Sequence, residues 1–115
     1  MPAPTIDVAT FDALTEATGA EFALELVDTF LQEAPAMLAD LRRALAAQDA
    51  DTFRRAAHSL KSNGNTFGAL ALGELARDLE LAGAARVGER GGEPLAALEA
   101  EYARVAAALA AMRHG

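Results

Sequence analysis

An all-α fold is predicted for this 115-residue chain by three observations. Apolar residues recur at spacings of three and four almost throughout, which is the helical period. No stretch alternates apolar and polar residues between hairpin turn signals, as a half-buried strand would. Four long periodic segments are joined by short loops, which favours an antiparallel up-down four-helix bundle with a short additional helix at the N-terminal end.

The first, short helix is expected over residues 8–17, carrying Val8, Phe11 and Leu14 and stopping near Gly19 as a glycine C-terminal signal dictates. Too short to stand alone, it should pack as a lid on the rest. The preceding residues 1–6 read as a flexible N-terminal tail of a single domain spanning 1–115. A longer pattern follows, with Phe22, Leu26, Phe30 and Ala34 four residues apart, then Met37, Leu38, Leu41 and Leu45. Pro35 removes a backbone donor and crowds the carbonyl four residues back, so this segment should bend or divide at Ala34-Pro35. The break Gln48-Asp49-Ala50-Asp51 precedes the next helix, with Asp49 or Asp51 as its N-cap. Gly68 separates that helix from a segment with Leu72, Leu75, Ala76 and Leu79 running to about Ala85. A loop over 87–92 leads to the last helix, where Leu95, Leu98, Tyr102, Val105, Leu109 and Met112 form one stripe beyond Pro94.

Composition narrows the function classes. With 52% hydrophobic residues, the chain suits one domain with one modest core, filled mainly by Leu and Ala. It has no cysteine, which excludes disulfides, thiolate zinc sites and a cysteine nucleophile and agrees with a cytoplasmic location. The N-terminal MPAPTIDVATF lacks the basic and apolar regions of a signal peptide, and no apolar run is long enough to span a bilayer. Seventeen acidic against ten basic residues give a formal net charge of −7, which repels phosphate backbones and anionic lipid. Neither nucleic acid nor a membrane is expected as a partner, and a small acidic bundle is expected to be monomeric.

The chemistry concentrates in AAHSLKSNGNTFGA, residues 56–69. On a helix at about 100° per residue, Phe53, Ala56, Leu60, Gly64 and Phe67 share one face, opposite His58. Arg54, Arg55, Lys61, Ser62 and Asn65 all fall within about 60° of the histidine by the same arithmetic. His58 should therefore project into solvent from mid-helix, with the helix continuing to about Asn65 despite the turn-like Ser62-Asn63-Gly64-Asn65. An ordinary solvated histidine on a polar helix face is the plain reading. Against it stands the run Ser62 to Thr66, all poor or mediocre helix formers, in which Gly64 alone costs about 1 kcal/mol relative to Ala. Neutral imidazole is a nitrogen nucleophile near neutral pH. A phosphoryl group on it would need a cation, and Lys61 lies one turn away.

The stretch His58-Ser59-Leu60-Lys61-Ser62-Asn63-Gly64-Asn65-Thr66-Phe67-Gly68-Ala69 resembles the motif of the histidine-containing phosphotransfer (HPt) domain family, an AH-x-L-K core leading through small residues to an apolar-Gly-Ala end. The resemblance extends to Phe30-Leu31-Gln32-Glu33-Ala34-Pro35, the approach from Leu41 to Leu45, the Asp49 turn and the segment from Leu75 to Glu80. It implies a phosphocarrier of a two-component phosphorelay, in which His58 accepts a phosphoryl group from a receiver-domain aspartate or a histidine kinase and passes it to another receiver aspartate. Lys61 matches the family lysine beside the phosphohistidine. The residue four after the histidine is commonly Gly in this family and here is Ser62, still small enough for a partner to approach. Partners implied are response-regulator receiver domains and a hybrid or sensor histidine kinase, with Arg54, Arg55, Ser62 and Asn65 as candidate contact residues. The chain has no cofactor of its own under this reading, because the receiver supplies Mg²⁺ and the acidic pocket. No P-loop or Gly-rich nucleotide loop is present, so a phosphocarrier is implied rather than a stand-alone enzyme with a kinase core.

Other readings carry less. A di-metal bundle site needs Glu-x-x-His pairs, whereas Arg55 stands three residues before His58 and His114 lies at the C-terminal end, a solvated tail residue. Glu21, Glu25, Asp28 and Glu33 read as a solvated helix face. The alternative of a different class is a non-catalytic four-helix adaptor that binds a receiver without carrying phosphate; the presence of both His58 and Lys61 argues against it.

Overall fold

The computed structural model describes residues 5–114, without the side chain of His114. Five helices and no strands are found among them: α1 (Val8–Thr18), α2 (Ala20–Ala47), α3 (Ala50–Thr66), α4 (Leu70–Glu89) and α5 (Glu93–His114). Each connection is one to three residues long in the sequence, as short helix–helix joints require. The most extensive packing is between α3 and α4, followed by α2 with α3 and α4 with α5; α2 also meets α5 and α4, and α1 rests on α2 and α3. None of the helices is long and apolar enough to cross a membrane.

Residues 1–4 of the expected tail lie outside the described residues, but its last residue is not free. Ile6 is buried in the core with Phe11. These are the positions just before the N-cap and four residues into the helix, the pair that forms a hydrophobic staple. Asp7 caps α1 by accepting from the Thr10 amide at 3.1 Å, and its own N–H donates to the Gly68 carbonyl at 2.7 Å. The backbone at Gly68 has φ 82°, and a Cβ there would lie 2.6 Å from the Asp7 carbonyl oxygen, so only glycine lets α1 seal the end of α3. Val8 is exposed and contributes nothing to the core.

Of the bend or division expected at Pro35, the division does not occur, since α2 runs unbroken through it. Proline removes one N–H but keeps a helical φ, and its ring faces outward at an exposed position. The buried stripe of α2 is Ala23, Val27, Phe30, Ala34, Leu41 and Ala44. Phe22, expected inside, is exposed, because the true stripe is offset by one residue in the first turns. Phe30 anchors the centre, 5.3 Å from the Phe67 ring and 5.9 Å from Tyr102 in an edge-on arrangement.

Helix α4 continues past Ala85 to Glu89, where a loop was expected. It does so across a kink at Gly83, whose φ 81° and ψ 165° are not helical. Ala84 and Val87 beyond the kink are buried, and the Gln48 side-chain amide donates to the carbonyls of Leu45 and Ala84 at 2.9 and 3.1 Å. Burial and this amide hold the last turns in place. In α5 the stripe is Leu95, Leu98, Val105 and Leu109, with Tyr102 half-buried and Met112 exposed.

Candidate functional site

Helix α3 begins at Asp49, whose carboxylate accepts from the Thr52 amide at 3.2 Å and the Thr52 hydroxyl at 2.7 Å. Its buried side is Phe53, Ala57, Leu60 and Gly64, continued by Phe67. Ala57 is the fully buried alanine, while Ala56 is partly buried against the core. The helix extends to Thr66, past the turn-like tetrad. The weak helix formers there have local reasons. Asn63 and Thr66 donate from their side chains to the carbonyls of Ser59 and Ser62, each at 2.9 Å. Gly64 faces α4: a Cβ on it would lie 3.3 Å from the Ala69 oxygen and 3.3 Å from the Gly73 nitrogen. The residue cost of Gly64 in the helix therefore lets two backbones approach, and is a packing feature rather than a docking one.

Opposite this side, the His58 side chain is 57% exposed in the middle of the helix. It is not alone. From α4, Glu80 reaches across so that the Nδ1 atom of His58 lies 2.9 Å from Oε2 and the Lys61 ammonium 2.9 Å from Oε1. Glu80 is mostly buried, with its side chain 17% exposed. Its carboxyl is held below the ordinary carboxylate range, first by the Lys61 hydrogen bond; burial opposes this, and the His58 hydrogen bond and the nearby positive charges add to it. An ionised carboxylate only accepts hydrogen bonds. In the neutral imidazole the proton is accordingly on Nδ1, donating to Glu80, and the lone pair is on Nε2.

Lys61 thus joins the histidine through a shared carboxylate. Arg54 and Arg55 are exposed but point to the start of the helix, where both pair with Asp51 at 3.0 and 3.1 Å. Arg55 also lines a groove of about 330 Å³ between α2 and α3 with Met37, Asp40, Thr52, Ala56 and Ser59. Ser62 is exposed beside His58, and Asn65 is exposed with its amide occupying the space where a Cβ on Gly73 would go. Among the described residues no three His, Asp or Glu side chains gather as a metal-binding group.

Glu80 is the member of this constellation that motif reasoning did not single out. A signal existed: Gly73 and Glu80 are seven residues apart, two helical turns, and so share a face of α4. Gly73 marks the side on which α3 comes close, but a single sequence does not say which helix occupies that side.

The chain matches the Hpt domain family over residues 25–113. No curated protein matches it. Among solved structures it is similar to the crystal structure of histidine-containing phosphotransfer protein B (HptB) from Pseudomonas aeruginosa PAO1. That likeness has a TM-score of 0.87 and 31% sequence identity, over 98% of this chain and 97% of that one. With a family match over most of its length and a whole-chain likeness above the same helices, the chain belongs to the Hpt domain family.

Proposed function

We propose that the chain performs histidine phosphotransfer in a phosphorelay, carrying the phosphoryl group on Nε2 of His58. The observation that carries this reading is the exposed imidazole whose Nδ1 is engaged by Glu80, leaving Nε2 as the nitrogen open to a partner. In the accepting step the Nε2 lone pair attacks the phosphorus of an aspartyl phosphate on a receiver domain. The P–N bond forms, the P–O bond breaks, and the aspartate carboxylate leaves with the bonding pair. Donation to a second receiver is the reverse, and a histidine kinase is an alternative donor.

Transfer of this kind is mostly positioning and charge neutralisation. Lys61 neutralises part of the phosphoryl charge, since an ammonium has three N–H donors and Glu80 takes one. The Mg²⁺ that assists the step comes with the receiver. The Glu80 carboxylate beside His58 is already bonded to two side chains, which makes it a poor donor for a hard dication.

Docking uses the surface around His58, with Ser62 and Asn65 as close neighbours and Arg54 and Arg55 as charges that guide an acidic receiver face. The groove beside Ser59, lined also by Met37, Asp40, Arg55 and Ala56, suits a partner helix. The order of packed neighbours, α2–α3–α4–α5 with α2 meeting α5, supports an antiparallel up-down bundle with α1 as an added lid. We place this monomeric carrier in the cytoplasm, where its receivers are.

The test is to incubate the protein with phosphorylated receivers and look for an acid-labile, base-stable label. Wild type should take up label, and His58→Gln should take up none while keeping its helical content. If wild type binds several receivers yet takes up no label, the carrier reading fails and a non-catalytic adaptor replaces it.

A further inference from the structure

Resting on the phosphotransfer reading, we propose that Arg77 of α4, with Leu81 one turn beyond it, is the specificity-determining edge of the docking face: together they select receivers whose rim sets a carboxylate beside an apolar side chain.

Gly73, Arg77 and Glu80 stand at i, i+4 and i+7, so they share one stripe of α4. Both ends of that stripe touch α3. A Cβ on Gly73 would meet the Asn65 amide, and Glu80 holds His58 and Lys61, each at 2.9 Å. Arg77 therefore stands on the seam between α3 and α4, one turn before the carboxylate that touches the histidine. It is exposed, as are Ser62 and Asn65 across the seam, whose short side chains leave room for a partner to approach. Leu81, four residues on from Arg77, is 70% exposed, more than any other large hydrophobic side chain among the described residues.

Charge decides what this edge takes. The chain carries a formal net charge of −7, so a receiver with an acidic pocket approaches against its field, and more so once His58 carries a phosphoryl group. A cation on the docking face offsets this locally. Arg54 and Arg55 are both engaged by Asp51, and Lys61 by Glu80. Arg77 forms no ion pair among the described residues, not even with Glu74 one turn before it. It can meet a partner's carboxylate without first giving up one of its own. A planar guanidinium takes a carboxylate through two parallel N–H bonds, which fixes where on the rim that carboxylate must be. Leu81 adds the demand for an apolar neighbour, because a polar group pressed against it would lose its water and gain no partner. A receiver lacking either feature binds less tightly, and that difference in affinity is the selection.

The test uses the full chain and phosphorylated receiver domains, taking the receiver that labels wild type at the lowest concentration. Transfer rate measured against carrier concentration separates docking from chemistry. Arg77→Gln and Leu81→Ala change exposed positions, where folding is little affected. Each should raise the concentration for half-maximal transfer by about fivefold or more, while the maximal rate changes by less than about twofold. Arg77→Lys, which keeps the charge but not the fork, should fall between. Arg77→Glu should dock more weakly than Arg77→Gln, and reversing the acidic residues of the receiver rim to Lys one at a time should restore docking at the position that meets residue 77. An unchanged half-maximal concentration in Arg77→Gln or Leu81→Ala, a loss confined to the maximal rate, or the absence of any rescuing reversal overturns the proposal and leaves phosphotransfer on His58 standing. Absence of label on wild type overturns the phosphotransfer reading itself.

Discussion

Gly64 of α3 and Gly73 of α4 lie backbone against backbone, with the Gly73 nitrogen 3.3 Å from the point where a Gly64 side chain would begin. This contact brings α4 near enough for Glu80, two turns beyond Gly73, to reach His58 and Lys61 on the neighbouring helix.

Gly64→Leu follows directly. The obstructing atoms are main chain and have no rotamer to change, so the added side chain must push the helices apart. A loss of about 3 kcal/mol or more is expected, as for overpacking without relief. Denaturant unfolding measures it, and the variants that still fold should transfer phosphoryl more slowly because Glu80 is drawn away from the ring.

Gly68→Ala should be costly at a different place. The left-handed backbone disfavours an L side chain by about 1–2 kcal/mol, and the new Cβ would press on the Asp7 carbonyl, 2.6 Å away. The Asp7 amide, which donates to Gly68, should lose hydrogen-exchange protection, while the amides in the middle of α3 keep theirs.

Lys61→Ala should slow phosphotransfer by about tenfold, the scale of one charge-assisted hydrogen bond, without abolishing receiver binding. Under the proposed mechanism the bond to phosphorus is made by His58, while Lys61 offsets charge and holds Glu80. Stopped-flow transfer alongside a binding titration separates the two effects, and an unchanged rate would remove Lys61 from the mechanism.

Glu80 also makes a pH prediction with a definite sign. Its carboxyl is lowered in the folded protein, chiefly by the Lys61 hydrogen bond, so its contribution to stability is present above the unfolded value of about 4.3 and is lost as pH falls through the lower, folded value. The stability difference between wild type and Glu80→Gln should therefore be steady at neutral pH and shrink as the solution is acidified below about pH 4. Paired unfolding curves across that range test it; a difference that instead grew on acidification would contradict the assignment.

Much of this was legible from residue order. Periodicity located the five helices, the exposure of His58 opposite Phe53 and Leu60, and Lys61 one turn on; the cap of α3 was narrowed to Asp49 or Asp51, of which the structure uses Asp49. The misplacements have identifiable causes. Pro35 read as a bend or a division because its missing N–H is a local cost, yet the helix is not divided there and the packed stripe continues on both sides. The extension of α4 beyond Gly83 depends on burial of Ala84 and Val87 and on an amide from Gln48, which belongs to another helix junction. Ile6 read as tail because its partner Phe11 matters only once α1 is docked.

The amino-acid sequence by itself determined which side chains share a helix face, because that depends only on the 3.6-residue turn and the order of residues. It therefore placed His58, the proposed nucleophile, with Lys61 and the small polar surface around them. Only the tertiary structure decided that Glu80 stands between His58 and Lys61, since contact across helices depends on which faces pack and how closely their backbones approach. That closeness comes from two glycines, Gly64 and Gly73, whose effect appears only when α3 and α4 are side by side.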